Sequence, residues 1–243
     1  MSYKKSFESG FSWIISAVDM GLFDFLRPKQ IPKAAFIADY EALFEKKIAA
    51  VRPISQLTFI ILDTETTGLD PKKDYIISFG AIKLQQFTIP ISSSKEWYLK
   101  VPIANAEAIQ VHEIIHTLSP MRLEDFAQQF LKYVGTDILV GHHVGFDLAM
   151  LEKALRPFGL KKLLNPVLDT QYLAMRLEKG PHFDSSMGKP GEFALDSLCK
   201  RYGIELDDRH TAAGDAFLTA QLLMKLLKLA EKKGINDYGT LMR

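Results

Sequence analysis

The chain has 243 residues, 47% of them apolar, which is enough to fill the core of one large domain or two small ones. Its formal net charge of +1 argues against a protein that grips duplex nucleic acid through an overall basic surface. The single cysteine excludes an intramolecular disulfide, and no apolar run approaches the roughly 20 residues that a membrane-spanning helix requires.

The first residues raise the question of a secretory signal, because Lys4 and Lys5 precede an apolar run. Asp19 and Asp24 interrupt that run, and no convincing small-residue cleavage site follows. We therefore expect a cytoplasmic protein.

Residues 1–55 are predicted to form a helical extension. Apolar side chains recur at helical spacing between residues 11 and 25, and a second helix is predicted for 34–50. Two alternatives stay open: these helices pack on the main domain, or they form a docking surface for a partner or for self-association. Binding along a membrane is disfavoured, because Asp19 and Asp24 would face anionic lipid.

Residues 56–243 are predicted to form a second domain with a mixed α/β sheet flanked by helices. A buried strand over 57–63 is followed by two further strands, and together they predict an antiparallel meander. Short strands then alternate with helices, which is typical of α/β folds. The other predicted strands are 75–84, 96–101, 138–140 and 167–168, with a weaker one at 87–91; the predicted helices are one around 123–134 and those at 146–158, 170–177, 194–202 and 212–232.

Two carboxylates stand at the end of the first predicted strand, in Asp63-Thr64-Glu65-Thr66-Thr67-Gly68. Asp63 and Glu65 are two residues apart, so along a strand their side chains point to the same side. Asp-x-Glu alone is weak, but this run after an apolar strand is much less common. The threonine hydroxyls and the amides of the glycine turn offer donors to a sugar or a phosphate.

Two further segments carry acidic residues at predicted helix starts. Asp147 follows Gly141-His142-His143-Val144-Gly145-Phe146, and by itself it reads as a carboxylate that stabilises a helix N-terminus. His210 and Asp215 lie five residues apart across the opening of the long helix 212–232. Clustered carboxylates repel one another unless a cation neutralises them, and hard oxygen ligands suit Mg²⁺ or Mn²⁺.

Together, these segments resemble the three motifs of the DEDDh 3′–5′ exonucleases, the group that includes the proofreading epsilon subunit of bacterial DNA polymerase III. The similarity covers about residues 57–232 and implies a ribonuclease-H-like fold. It also implies that two divalent cations, Mg²⁺ or Mn²⁺, are held by Asp63, Glu65, Asp147 and Asp215. His210 would be the general base, acting with Asp63 and Glu65 in catalysis.

The resemblance further implies a pocket for the terminal nucleotide. Its lining would come from the first motif, from a segment around residue 112 and from the second motif: Thr64, Thr66, Thr67, Gly68, Leu69, His112 and Phe146. The family usually has asparagine where this chain has His143. Both side chains donate one hydrogen bond, so we expect His143 to keep a structural or strand-contacting role.

The implied activity is release of nucleoside 5′-monophosphates from single-stranded DNA 3′ ends, in proofreading or repair. One alternative is an oligoribonuclease-like enzyme that trims RNA 3′ ends; the N-terminal helices favour a DNA-directed enzyme over it. Another is a catalytically silent nucleotide-binding module that recruits a polymerase. The complete acidic set argues against that module, because mutually repelling carboxylates serve no purpose without a cation. Residues 1–55 are the expected contact for a polymerase subunit or a second copy.

Overall fold

The computed structural model describes residues 32–102, 119–183, 186 and 188–243. Within these ranges, Lys33–Arg243 form one compact unit. The predicted helix at 11–25 and His112 lie outside the described residues.

A five-stranded mixed sheet forms the centre of this unit, as predicted. Its strands are β1 (Thr58–Thr66), β2 (Ile76–Gln85), β3 (Lys95–Tyr98), β4 (Ile138–Gly141) and β5 (Val167–Asp169), in the spatial order β3-β2-β1-β4-β5. β1, β2 and β3 pair antiparallel and so form the predicted meander. β4 pairs parallel with β1, and β5 pairs parallel with β4.

Helices cover both faces of the sheet in the described part of the chain. They are α1 (Ala35–Ala42), α2 (Leu123–Val134), α3 (Gly145–Leu155), α4 (Thr170–Lys179), α5 (Leu195–Arg201), α6 (Ala212–Lys232) and α7 (Tyr238–Leu241). Short 3-10 turns lie at Leu43–Glu45, Ile54–Gln56, Ile91–Ser93 and Arg156–Phe158. None of these helices combines the length and apolarity needed to cross a bilayer.

Strand β1 is apolar on both sides because it lies between two hydrophobic cores. Phe59 and Ile61 belong to the core built with α4, α5 and α6, whereas Ile60 and Leu62 belong to the core built with α1, α2 and α3. All four are at most 1% exposed. Since side chains alternate along a strand, this division also decides which helix each residue after Leu62 will face.

Three local predictions differ from the structure. The second predicted helix is shorter, because α1 ends at Ala42 and the 3-10 turn after it contains non-helical Phe44. The weaker strand prediction at 87–91 is wrong: Gln86 and Phe87 adopt left-handed backbone in a tight turn that reverses the chain. The short helix α7 was not predicted.

The helix α1 packs within the unit that contains the sheet. Ile37 is fully buried in the core on the α2 and α3 side, and the Tyr40 hydroxyl donates to Asn165 Oδ1 at 2.7 Å. The same hydroxyl accepts the backbone N–H of Leu164 at 2.8 Å. For this segment, packing on the main domain is the alternative that the structure favours.

Candidate active site

The alternation along β1 brings Asp63 and Glu65 to the side of the sheet that α6 covers. Phe59 and Ile61 pack against α6, and the next two residues of the same parity are Asp63 and Glu65. Asp215 stands in the first turn of α6. Strand and helix therefore place the first and third acidic motifs opposite each other, although about 150 residues separate them in the sequence.

Two features let the start of α6 approach the strands closely. Gly80 is the residue of β2 that pairs with Asp63, and a Cβ there would lie 2.2 Å from the backbone of Ala212. Thr211 caps the helix, because its hydroxyl accepts the N–H of Gly214 at 3.0 Å. Gly80 was not predicted to belong to the framework of the site. Only the folded structure brings the start of α6 against this residue.

The resulting cluster contains three carboxylates. Asp63, Glu65 and Asp215 each offer an oxygen, and these oxygens lie within 4.8 Å of one another. Burial raises the pKa of Asp63 well above its ordinary value, and the negative charges of Asp147, Asp215 and Glu65 raise it further. Oxygen donors at this spacing, in mutual repulsion, are the ligand set that a hard divalent cation prefers.

Asp147 lies beside this cluster and is held by Thr64. Its Oδ1 accepts the backbone N–H of Thr64 at 2.9 Å and the Thr64 hydroxyl at 2.7 Å. The side chain is 8% exposed, and burial raises its pKa from the ordinary 3.8 to about 6, although both bonds from Thr64 oppose the rise. Asp147 stands in the first turn of α3, but its contacts are with β1, so helix stabilisation alone does not account for it.

An arginine that sequence reasoning overlooked contacts the cluster. The guanidinium of Arg209 donates through Nη1 to Asp215 Oδ1 and through Nε to Asp196 Oδ1, the latter at 2.7 Å. Asp196 belongs to the first turn of α5. The position of Arg209 directly before His210 was the available signal; its partner on another helix was not readable from the sequence.

His210 lies at the approach to α6 and is exposed. Its φ of +66° and the φ of +52° at Asp208 are left-handed values that non-glycine residues rarely adopt. The loop of these residues passes tightly over the helix start, because a Cβ on Gly214 would lie 2.0 Å from the carbonyl oxygen of Asp208. His210 is thus exposed to solvent in a constrained loop that leads into α6.

The turn after β1 is organised by hydrogen bonds among its own residues. The Thr66 hydroxyl donates to the carbonyl of Gly68, and the Thr67 hydroxyl donates to Asp74 Oδ1. Asp74 Oδ2 accepts the N–H of Asp70 at 2.8 Å and lies under Gly68, where an added Cβ would be 2.7 Å away. This network leaves Leu69 86% exposed at the tip.

The turn before α3 is organised by Asp169, a residue that was not predicted to belong to the site. Asp169 accepts the backbone N–H of His143 at 3.2 Å and that of Val144 at 2.9 Å, and it caps α4 through Gln171. The His143 side chain is exposed, whereas Phe146 is partly buried against the core on that side.

The sequence of this chain matches a known protein family. A family model described as Exonuclease (RNase_T) matches residues 60–223, more than half of the chain. The chain belongs to this family. The predicted resemblance to exonucleases of the DNA polymerase III epsilon type is confirmed, and the family is one of nucleases, which are phosphodiester hydrolases.

Similar proteins include two DNA polymerase III proteins. DNA polymerase III PolC-type of Bacillus subtilis is 33% identical over 196 residues, covering 79% of this chain but 13% of that protein. DNA polymerase III subunit epsilon of Aquifex aeolicus is 30% identical over 189 residues, covering 76% of this chain and 89% of that protein. The exonuclease chain thus spans a small part of the first relative and most of the second.

Two solved structures show the same fold. Escherichia coli exonuclease I in complex with a dT13 oligonucleotide has a TM-score of 0.56 and 20% identity, covering 74% of this chain and 43% of that one. Exonuclease X in complex with 5′ overhanging duplex DNA has a TM-score of 0.51 and 21% identity, covering 76% of this chain and 96% of that one. The ribonuclease-H-like fold predicted from the motifs is confirmed.

Proposed function

We propose that this protein is a 3′–5′ exonuclease that removes nucleoside 5′-monophosphates stepwise from single-stranded DNA ends. The observation that carries the proposal is the convergence of Asp63, Glu65 and Asp215, whose oxygens lie within 4.8 Å of one another on a β-strand and a helix. The family match supports the reaction class, and the similarity to DNA polymerase III proteins supports DNA as the substrate.

The residues fit a pair of divalent cations, Mg²⁺ or Mn²⁺. Three carboxylates converge, Asp147 stands beside them, and the raised pKa of Asp63 reflects burial and repulsion that bound cations would relieve. Asp63, Glu65, Asp147 and Asp215 would hold the ions. When bound, such ions acidify water and offset the charge that develops on phosphate oxygens.

His210 would act as the general base. It is exposed at the opening of α6, where its imidazole can accept a proton from the attacking water and pass it to solvent. The water oxygen forms a bond to phosphorus while the bond from phosphorus to the 3′ oxygen of the strand breaks. The leaving 3′ oxygen takes up a proton from solvent and becomes the new 3′ hydroxyl of the shortened strand, and the released nucleotide carries the 5′ phosphate.

The nucleotide pocket is proposed around the turn after β1. Leu69 offers an exposed apolar contact for the terminal base, and the ordered turn Thr66–Gly68 would shape the space for the sugar and phosphate. The hydroxyls of Thr64, Thr66 and Thr67 donate within the protein, so their proposed contribution is to shape the pocket. His112, His143 and Phe146 complete the proposed lining.

We also propose a division by role into an extension, 1–55, and an exonuclease domain, 56–243; the part of the extension from Lys33 onward belongs to the same compact unit as the sheet. The family match lies wholly within the second part. Two relatives are named as DNA polymerase III proteins, so a polymerase subunit is the proposed partner of the extension, with self-association as the second candidate.

A direct test uses purified protein and oligonucleotides labelled either at the 5′ end or on the 3′-terminal nucleotide: single-stranded DNA, a primer with a mismatched 3′ end, and short RNA. We expect a ladder of shortened strands and free mononucleotides with Mg²⁺ or Mn²⁺, and no reaction with chelator. Asp63→Asn and Asp215→Asn should each lower the rate at least about 1000-fold. Loss of one metal ligand should remove about 4 kcal/mol of transition-state stabilisation, and each 1.36 kcal/mol changes the rate tenfold.

Asp39→Asn, an exposed carboxylate on α1, is the matched control and should keep full activity. Wild-type-like cleavage by Asp63→Asn would refute the site. Faster cleavage of RNA than of either DNA would replace the proposed substrate with RNA ends. Internal cuts in the labelled strands would indicate an endonuclease.

A further inference from the structure

Arg209 joins two helices at the edge of the carboxylate cluster. Its Nε donates to Asp196 on α5 at 2.7 Å, and its Nη1 donates to Asp215 on α6. The Arg209 side chain is 21% exposed and that of Asp215 is 13% exposed, while that of Asp196 is 49% exposed. The contact with the acidic cluster is therefore the more buried of the two ion pairs.

The charge of Arg209 reaches beyond its direct partner. Asp215, which Arg209 contacts, offers an oxygen within 4.8 Å of the oxygens of Asp63 and Glu65. A permanent cation thus sits beside two proposed metal ligands.

Arg209 is also flanked by the two strained residues of the loop. Asp208 and His210 have left-handed backbone, which is unfavourable for residues with a side chain. The two ion pairs of Arg209 attach the centre of this loop to α5 and α6, and so hold the conformation that presents His210.

We propose that Arg209, supported by Asp196, is a positioning residue and internal counter-cation that weakens metal binding at the carboxylate cluster while holding the loop of His210. The inference rests on the proposed function, since it takes the cluster to bind metal. A fixed positive charge repels a divalent cation that binds the same carboxylate. The negative charge of Asp196 partly neutralises Arg209 and so weakens this repulsion.

The test compares three variants in the full chain: Arg209→Gln, Arg209→Lys and Asp196→Asn. Mn²⁺ affinity is measured by isothermal titration calorimetry, and kcat and KM are measured on single-stranded DNA. Arg209→Gln should bind Mn²⁺ about tenfold more tightly, because a unit charge a few ångströms away is removed. Its kcat should fall about tenfold, since the loop of His210 is no longer held, while KM for DNA stays near wild type.

The controls separate charge from shape. Arg209→Lys keeps the charge and should keep wild-type Mn²⁺ affinity, while its kcat falls because a single ammonium replaces the two-partner guanidinium. Asp196→Asn should bind Mn²⁺ a few-fold more weakly, and should have no effect on affinity when Arg209→Gln is already present. General loss of folding would weaken metal binding and lower kcat together, so opposite changes in the two quantities identify the proposed role.

Unchanged or weaker Mn²⁺ binding by Arg209→Gln overturns the inference. If that variant does not fold, tighter binding by Asp196→Asn overturns it instead. Failure of the wild-type protein to bind Mn²⁺ would contradict the proposed function itself, which distinguishes the two failures.

Discussion

Asp147→Asn is expected to stabilise the metal-free protein while it abolishes the proposed activity. The two hydrogen bonds from Thr64 both reach Oδ1, an acceptor that asparagine retains. The substitution therefore keeps the local bonding and removes a negative charge from a side chain that is 8% exposed. A buried carboxylate among other carboxylates costs free energy that the neutral amide does not.

The size of the effect follows from the pKa of Asp147, which rises from 3.8 to about 6 in the folded protein. The folded state holds the proton more tightly than the unfolded chain. The stabilisation of the folded state by this proton on Asp147 is fully present below pH 3.8 and is lost as the pH rises through 6. Each pKa unit is 1.36 kcal/mol, so wild type should be less stable than Asp147→Asn by about 3 kcal/mol at pH 8.

Thermal or urea unfolding in the presence of a chelator measures this difference. At pH 8 the variant should melt roughly 6–12 °C above wild type, given about 2–4 °C per kcal/mol for a chain of this size. The gap should shrink toward zero near pH 4, where wild type is also neutral at this position. Asp39→Asn, an exposed change of the same type, is the control and should show no such pH-dependent gap. A variant that is no more stable than wild type at pH 8 would refute the reasoning.

Two further predictions concern the packing of the helices α6 and α1 in this unit. Gly80→Ala should destabilise the fold by at least about 1–3 kcal/mol and impair cleavage, because its Cβ would lie 2.2 Å from the backbone of Ala212. Gly145→Ala, whose Cβ would meet no atom within 4 Å, is the control, and equal melting temperatures for the two variants would contradict the close approach. Tyr40→Phe should cost about 1–3 kcal/mol in urea unfolding, because it removes the hydroxyl that pairs with Asn165 and Leu164. An unchanged urea midpoint would show that these two hydrogen bonds contribute little to the stability of the unit.

Most of the fold was predictable because its signals are local. The apolar run that became β1 and the helical spacing that became α2 and α6 depend on neighbours within a few residues. The predictions failed where a single turn decided the outcome. Nothing in the composition around Phe87 signals that it adopts left-handed backbone, and α7 is too short for a periodic pattern.

The amino-acid sequence by itself determined which side chains are proposed to carry the chemistry, because residue type and spacing along each element are local properties. Asp63 and Glu65 share a face of β1 through the two-residue period alone. Only the tertiary structure decided which residues form hydrogen bonds and ion pairs around the carboxylate cluster. The bond from Thr64 to Asp147 spans 83 positions, and the one from Arg209 to Asp196 spans 13 positions between two helices. Such contacts depend on how strands and helices pack in space, and no repeating pattern along the chain encodes that packing.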